Sequence, residues 1–473
     1  MSTQDYYIQQ VQSLNERRAA ETGRQPLALV KTFGCQMNAH DSEKIETILS
    51  QMGYGKTDAA DSADLAIYNT CCVRENAENH LYGNLGLLTH IKKERRDMRI
   101  ILCGCMTQQG AALEKLLRSY RHVDVILGTY NLRRLPELLY NSLIAGRQIV
   151  EIRQSPEGPE QAEEFESKTG CRHFAFKASV NIMYGCGNNC SYCIVPYVRG
   201  RERSRSPENI LTELRLLAAD GVKEVMLLGQ NVNSYDAGAQ IRFADLLERV
   251  CETPGTEQIE RIRFMTSHPK DLSGALIAVM RRQPKIARHL HLPLQSGSTR
   301  VLTRMNRKYT QEDYLRLIDR IREAMPDITL TTDIIVGFPG ETEEDFDATL
   351  DVVRRARFAG AFTFLYSKRP GTPAADMDGQ VPPAEAGDRF QRLLAVLNPM
   401  ILAENEKRIG TILRVLPEEI NAQGSRPGEN CLTGRADNNT IVHFRADKNH
   451  LGSFTPVKIT GCKTYYLLGE AVD

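Results

Sequence analysis

The chain has 473 residues, of which 41% are hydrophobic and 25% charged, so two to four domains with ordinary cores are expected. The formal net charge of +1 excludes nucleic-acid binding driven by the overall charge of the chain. Any such binding would have to use local basic patches. The sequence contains no run of about 18 apolar residues, so we predict a cytoplasmic protein with no membrane partner.

Residues 1–25 form a polar leader, either helical or disordered, and residues 26–150 alternate short apolar runs with helical patterns. This alternation predicts a parallel α/β domain. Its strand candidates are residues 27–30, 65–68, 100–102 and 123–127. We expect the helix after the first strand to be capped by Asp41 or Ser42.

Cysteines follow three of these strands: Cys35 the first, Cys71 and Cys72 the second, and Cys103 and Cys105 the third. Ligands of open α/β folds bind at the carboxyl ends of the strands. If the three strands share one sheet, their cysteines can converge.

An acidic linker is predicted at residues 151–171, and a second alternating stretch covers 172–408. Its strand candidates are residues 178–183, 224–228, 261–265, 289–294, 329–336 and 361–365. Six βα units suggest a partial or complete βα barrel, whose active-site groups would lie at the strand ends. Those positions hold Gln230, Ser267, Gln295 and Gly337. Residues 409–473 carry short β patterns punctuated by Gly and Asn, as in a small β-barrel.

Three cysteines lie within eight residues after the first strand of this stretch: Cys186, Cys190 and Cys193. Twelve cysteines in a large chain without a signal segment favour metal ligation or burial over disulfides. Three thiolates are one short of a closed zinc or iron–sulfur site, so a cubane held here would keep one iron open for a small ligand. The alternatives are a zinc knuckle that lacks a ligand and a chance cluster.

The C-x3-C-x2-C spacing resembles that of the radical S-adenosylmethionine superfamily. This resemblance implies a [4Fe–4S] cluster whose open iron chelates S-adenosylmethionine and whose electron produces a 5′-deoxyadenosyl radical. Tyr192 would then lie near the adenine, although plain core packing is an equal alternative. The four strand-end residues would contact the cofactor, unless they are ordinary polar ends of strands.

A narrower resemblance, to the methylthiotransferase family, covers nearly the whole chain from Leu27. The matching stretches are Thr32-Phe-Gly-Cys-Gln-Met-Asn38, Asn69-Thr-Cys71, Gly104-Cys105, Cys193-Ile-Val-Pro-Tyr-Val-Arg-Gly-Arg201, Leu292-Pro-Leu-Gln-Ser-Gly297 and Gly337-Phe-Pro-Gly-Glu341. It implies a multidomain α/β fold with an N-terminal cluster domain, a radical (βα)6-type barrel and a C-terminal TRAM-like β-barrel.

The family resemblance also implies a second [4Fe–4S] cluster on Cys35, Cys71 and Cys105. Cys72 and Cys103 are then expected to be small buried residues. One S-adenosylmethionine would methylate a sulfur of this auxiliary cluster and another would form the radical, so that a methylthio group reaches the substrate carbon. The chemistry does not clearly need a general acid or base. An electron donor such as flavodoxin or ferredoxin is implied, and the enzyme is expected to be a monomer.

Arg199, Arg201 and Arg203 follow the second triad and are predicted to contact substrate phosphates. The same is predicted for a second group, which comprises Arg300, Arg304, Arg307 and Lys308. The alternative for both groups is a solvated charged face. The likeness of Thr433-Gly-Arg435-Ala-Asp-Asn-Asn439 to a TRAM domain implies contact with tRNA.

Three substrates compete within the family: isopentenyl-adenosine in tRNA, threonylcarbamoyl-adenosine in tRNA, and an aspartate of a ribosomal protein. Leu228-Gly-Gln-Asn-Val-Asn-Ser-Tyr235 and Phe264-Met-Thr-Ser-His-Pro269 resemble the isopentenyl-adenosine branch. We therefore expect methylthiolation at carbon 2 of that adenine, next to the anticodon. The rival from another class is a non-enzymatic iron–sulfur protein that binds RNA or senses redox state.

Overall fold

The computed structural model describes residues 3–72, 75–153, 170–422, 424 and 430–472, and the side chains of 75–77 are outside this description. The chain forms two compact units. The first unit comprises Met1–His173, Tyr184–Gly187 and Cys193–Arg205, and the second comprises Phe174–Met183, Asn188–Tyr192 and Ser206–Asp473. Most of the predicted linker lies outside the described residues. No described helix is both long and apolar enough to cross a membrane.

The first unit contains a six-stranded parallel sheet in the order β2-β1-β3-β4-β5-β6. Its strands are β1 (Leu27–Thr32), β2 (Gly55–Lys56), β3 (Leu65–Thr70), β4 (Arg99–Gly104), β5 (Val125–Leu127) and β6 (Ile149–Glu151). Its longer helices are α1 (Thr3–Thr22), α2 (Gln36–Gln51), α3 (Glu75–Glu94), α4 (Gly110–Ser119) and α5 (Leu135–Ala145). The four predicted strands are confirmed.

Both faces of this sheet are covered, which is why its central strands are continuous apolar runs. Along β3, Ala66 and Tyr68 pack into one hydrophobic cluster, and Leu65 and Ile67 pack into the cluster on the other face. The polar leader forms α1, whose Val11 is buried in the second of these clusters. The leader is therefore part of the first unit.

The predicted cap of α2 is wrong. The helix begins at Gln36, and Cys35 occupies the N-cap position with extended backbone. Asp41 and Ser42 lie inside the helix because their side chains are used in buried polar contacts. The Ser42 Oγ, for example, accepts hydrogen bonds from Thr32 Oγ1 at 2.7 Å and from Asn69 Nδ2 at 3.0 Å.

The second unit contains two three-stranded parallel sheets, β7-β10-β11 and β12-β13-β14, which a parallel bridge between Ile262 and Ile286 connects. All six predicted strands are present, and the arrangement is a partial barrel. The strands are β7 (Lys177–Asn181), β8 (Met183–Tyr184), β9 (Arg203–Ser204), β10 (Glu224–Leu228), β11 (Arg261–Phe264), β12 (His289–His291), β13 (Thr329–Val336) and β14 (Gly360–Leu365). Of these, β9 and the end of β8 belong to the first unit, as does the short helix α6 (Val195–Arg199).

Helices cover the outer faces of these two sheets, and their apolar sides share one core with the strands. They are α7 (Pro207–Ala219), α8 (Phe243–Glu252), α9 (Gly274–Arg282), α10 (Thr299–Arg304), α11 (Gln311–Ala324), α12 (Glu343–Ala356) and α13 (Pro383–Glu406). The helices leave the carboxyl ends of the strands as the edge where ligands of such barrels bind.

The chain ends in a closed five-stranded barrel of order β15-β16-β17-β19-β18, which confirms the predicted small β-barrel. Its strands are β15 (Ile412–Ile420), β16 (Cys431–Ala436), β17 (Ile441–Arg445), β18 (Thr455–Cys462) and β19 (Tyr466–Ala471). Only β17 and β19 pair in parallel.

A buried ionic cluster links this barrel to the amino ends of β10 and β11. Glu224 accepts hydrogen bonds from Arg261 and Arg263, and Arg261 also reaches Asp437 Oδ1 of the small barrel at 2.8 Å. Burial alone would raise the pKa of Glu224, but the charges of Arg263, Arg261 and Lys177 together lower it to about 2. The Glu224, Arg261 and Arg263 side chains are shielded from water, whereas Asp437, the partner from the small barrel, is partly exposed.

Candidate functional site

The first cysteine triad lies at one edge of the six-stranded sheet. Cys35 follows β1, Cys71 directly follows β3, and Cys105 directly follows β4. The three strands are parallel neighbours in the sheet, so their carboxyl ends share an edge. The three strands therefore share one sheet and end at the same edge, as predicted.

Asn38 marks the point where two of the three thiols converge. Its Oδ1 lies 3.4 Å from Cys35 Sγ and 4.0 Å from Cys105 Sγ. Its Nδ2 donates to Phe33 O and to Thr70 O, which fixes the amide orientation with the oxygen toward the sulfurs. The stretch that contains Cys35 therefore supplies both a thiol and the buried amide beside it.

Cys71 fills a space that only glycine at position 34 leaves open. A Cβ at Gly34 would lie 2.3 Å from Cys71 Cβ and 2.7 Å from its Sγ, and the φ of Gly34 is +121°. Any L-residue at position 34 would clash with Cys71 and strain the backbone. The loop that carries Cys35 can thus approach Cys71 closely.

Arg199 lies among these groups rather than at the surface. Its side chain is 7% exposed, and its Nε donates to Cys105 Sγ at 3.3 Å. Its Nη2 donates to Asp41 Oδ2 at 2.8 Å and to Asn38 Oδ1 at 3.1 Å. This environment favours a role toward the thiol over the predicted phosphate contact. Sequence reasoning did not find this constellation of Asn38, Asp41 and Arg199.

The other two predicted substrate-binding arginines are more accessible. Arg201 is exposed, and Arg203 is half-buried with its guanidinium 5.6 Å from the ring centroid of Tyr184. Phosphate contact therefore stays a prediction that suits Arg201 best.

The thiols of the first unit differ in how readily they ionise. A hydrogen bond from Cys72 and the charge of Arg199 outweigh burial and lower the pKa of Cys105 below that of an ordinary thiol. The same hydrogen bond and burial raise the pKa of Cys72, and burial raises that of Cys103. Cys72 and Cys103 are buried, as predicted, but the contact of Cys72 with Cys105 was not foreseen.

Of the second set of cysteines, Cys186 and Cys193 belong to the first unit and Cys190 belongs to the second. In the first unit, Cys186 and Cys193 are half-buried. In the second unit, Cys190 is buried and its Sγ lies 3.4 Å from Nη1 of the buried Arg307. The guanidinium of Arg307 also donates to Tyr309 Oη at 3.0 Å and to a backbone carbonyl. Arg307 is thus an interior residue and not the phosphate ligand predicted from its charge.

Neither triad forms a site for a single metal ion. Among the described residues, no group of three or more His, Cys, Asp or Glu side chains is arranged to hold a metal ion. A cubane does not require such an arrangement, because three thiolates that bind three separate irons need not meet at one point. The all-cysteine donor set is the one that iron–sulfur clusters use.

Ser267 and Gln295, two of the predicted cofactor contacts, have features of a ligand site. Ser267 is 1% exposed, and its Oγ has no hydrogen-bond partner within the described ranges. Gln295 is buried and holds a left-handed φ of +69°, which is rare outside glycine and is concentrated at functional sites. Gln230 is half-buried and is separated from the end of β10 by Gly229.

Gly337 and Tyr192 have structural partners of their own. The Gly337 N–H donates to Glu341 Oε1 at 3.0 Å, and its φ is +76°. Tyr192 stands edge-on to Phe338, with ring centroids 6.5 Å apart, beside a small hydrophobic cluster. Core packing therefore accounts for part of the Tyr192 ring, and contact with a cofactor stays a prediction for both residues.

Family profiles match three parts of the chain in order. Residues 28–128 match the Uncharacterized protein family UPF0004, residues 180–353 the Radical SAM superfamily, and residues 406–472 the TRAM domain. These matches agree with the sheet domain, the partial barrel and the small closed barrel.

Curated relatives match the whole chain. The tRNA-2-methylthio-N(6)-dimethylallyladenosine synthase of Acetivibrio thermocellus is 50% identical over 100% of this chain and 96% of its own length. The enzyme of the same name from Lachnoclostridium phytofermentans is 51% identical over 96% of this chain and 97% of its own.

Solved structures share the fold. The radical S-adenosylmethionine methyltransferase TsrM of Kitasatospora setae, solved with cobalamin and a [4Fe–4S] cluster, matches with a TM-score of 0.52. It is 16% identical and covers 79% of this chain and 89% of its own. The cobalamin-dependent enzyme OxsB matches with a TM-score of 0.50 at 13% identity, over 78% of this chain and 55% of its own.

Proposed function

Since this chain belongs to the tRNA-2-methylthio-N(6)-dimethylallyladenosine synthase family, we propose that it methylthiolates carbon 2 of N6-isopentenyladenosine next to the anticodon of tRNA. It is a radical S-adenosylmethionine enzyme, a methylthiotransferase. The names of the relatives carry the choice of substrate. The observation that supports sulfur transfer is the first triad, in which cysteines follow three adjacent parallel strands beside a buried guanidinium.

The proposed ligands are Cys186, Cys190 and Cys193 for the radical cluster and Cys35, Cys71 and Cys105 for an auxiliary cluster. When bound, the first cluster with S-adenosylmethionine supplies radical chemistry and the second supplies sulfur. The chain itself holds the thiols near donors. Arg307 donates to Cys190 Sγ, and Arg199 donates to Cys105 Sγ.

These donors also limit proton chemistry at the site. A guanidinium keeps its charge at any pH at which the protein folds, so Arg199 and Arg307 stabilise thiolates without acting as acid or base.

We propose that Ser267, Gln295, Gln230, Gly337 and Tyr192 contact S-adenosylmethionine. The strongest support is for Ser267, because a buried hydroxyl without a partner costs free energy unless a ligand satisfies it.

The tRNA is proposed to bind through exposed Arg201, with Arg203 beside it, and through the TRAM barrel. Arg300 and Arg304 support this role less, because Arg300 pairs with Asp345 and Arg304 donates to Pro339 O. A flavodoxin or ferredoxin as electron donor, a monomeric state and a cytoplasmic location complete the proposal. The need for a reductant supports the electron donor, and the need for tRNA supports the cytoplasmic location.

The substrate is tested with anaerobically reconstituted enzyme, reductant and S-adenosylmethionine. We expect a 2-methylthio product on an isopentenylated anticodon stem-loop and none on the unmodified stem-loop or on the ribosomal protein. An equal rate on the unmodified stem-loop would contradict the branch assignment. A non-enzymatic redox sensor would not cleave S-adenosylmethionine to 5′-deoxyadenosine at all.

Cysteine variants separate the two triads in the same assay. Cys190→Ala should abolish cleavage of S-adenosylmethionine. Cys71→Ala should spare this cleavage but stop sulfur insertion, and sulfur insertion that survives would show that Cys71 is not a ligand.

A further inference from the structure

The guanidinium of Arg199 donates hydrogen bonds to three different groups. Its Nε donates to the thiol of Cys105, and its Nη2 is shared by Asp41 Oδ2 and Asn38 Oδ1. The Asn38 oxygen is also the atom that faces the sulfurs of Cys35 and Cys105. The positive charge of Arg199 therefore lies beside the amide oxygen that faces the two sulfurs.

The pair of Arg199 and Asp41 is too deeply buried to be a surface ion pair. Their side chains are 7% and 4% exposed, respectively. Taking two charges out of water is costly, and an apolar pair of the same volume is often as stable. Stability alone therefore explains the pair poorly, whereas a planar fork that reaches a sulfur and a carboxylate together is a feature that lysine cannot reproduce.

The position of the charge has a defined electrostatic effect. Hydrogen bonds to cluster sulfurs and the local net charge are among the factors that set the reduction potential of an iron–sulfur cluster. A cation 3.3 Å from a ligand sulfur stabilises an added electron. Asp41 acts against it, because its carboxylate lies on the same guanidinium.

We propose that Arg199 and Asp41 are positioning residues that set, in opposite directions, the reduction potential of the auxiliary cluster on Cys35, Cys71 and Cys105. This inference rests on the proposed function, which supplies that cluster. It assigns Arg199 to the cluster and not to the tRNA phosphates.

The test uses the full chain in a Cys186→Ala, Cys190→Ala, Cys193→Ala background, so that only the auxiliary cluster can be titrated. An anaerobic redox titration followed by electron paramagnetic resonance gives its midpoint potential. Arg199→Gln should lower the midpoint potential by at least about 59 mV, which corresponds to a tenfold change in the one-electron reduction equilibrium. Asp41→Asn should raise it.

Two further variants make the result decisive. The double variant Arg199→Gln, Asp41→Asn removes both charges together, so it leaves no unpaired buried charge that could prevent folding. Its potential should lie below that of the parent, because the lost donor is the group in contact with the sulfur. Arg201→Gln removes an exposed guanidinium two positions away and should leave the potential unchanged.

The outcomes separate this inference from the proposed function. If the background protein holds no cluster, the proposed auxiliary cluster itself is wrong. If it holds the cluster and the potential does not move in Arg199→Gln or in the double variant, the tuning role is wrong. Loss of the cluster from both of these variants also overturns the tuning role, because Arg199 then serves only to hold the site together.

Discussion

Replacing Glu224 with Gln should loosen the attachment of the small barrel to the partial barrel. The pKa of Glu224 is about 2, roughly two units below that of an ordinary glutamate, which corresponds to about 3 kcal/mol of stabilisation at pH 7. Since the folded-state pKa is lowered, this contribution is present above about pH 4 and is lost as the pH falls toward 2. The variant would also remove the Glu224 carboxylate from Arg261 and Arg263, and only Arg261 keeps the carboxylate of Asp437 among the described ion pairs.

Hydrogen exchange of the backbone amides of β10 and β11, measured by mass spectrometry on the full chain, reports this loss locally. A loss of about 3 kcal/mol should speed exchange on the order of a hundredfold at pH 7. Glu260→Gln is the matched control, because Glu260 forms an ion pair with Arg414 of the small barrel at 2.6 Å and both side chains are partly exposed. Its effect should stay below about 1 kcal/mol. Equal acceleration in the two variants would refute the reasoning from burial.

Three further predictions concern single positions. Cys71→Ala should remove about one cluster of iron and sulfide per chain, whereas the adjacent variant Cys72→Ala should retain it; the reverse result would move the ligand to Cys72. Gly337→Ala should lower the free energy of unfolding, measured by urea denaturation, by about 2 kcal/mol, since its φ is +76° and a Cβ would lie 2.7 Å from a side-chain atom of α13. Gly387→Ala, inside α13 with open space around it, should instead stabilise by about 1 kcal/mol, and a shared sign would contradict the steric argument. Arg307→Gln should lower the potential of the radical cluster, and an unchanged redox titration would show that its contact with the thiol is incidental.

Much of the fold follows from the sequence because the six-stranded sheet and the two three-stranded sheets are parallel and covered by helices. Such strands read as short apolar runs separated by helical patterns, and residues 65–68 and 100–102 were recognisable for this reason. The cap of α2 could not be read in the same way. Asp41 is an ordinary capping residue by type, and only its distant ionic partner shows why it lies inside the helix.

The cysteine positions were predictable because each follows a strand, but the groups that contact their thiols were not. Asp41 is 158 positions from Arg199, and Cys190 is 117 positions from Arg307. A stripe of arginines looks the same whether it faces phosphates or buried sulfur. In the sequence, Arg199 was linked to the cysteines only by its position shortly after Cys193, at the end of a short helix. That position does not reveal that the Arg199 side chain is buried.

Iron and sulfide analysis of anaerobically prepared protein tests the central claim of two cubanes on two separate triads most directly. We predict about eight irons and as many sulfides per chain, and about four after alanine replaces either the set Cys35, Cys71 and Cys105 or the set Cys186, Cys190 and Cys193. About four irons in the unaltered chain, with no loss when the first set is replaced, would contradict the account.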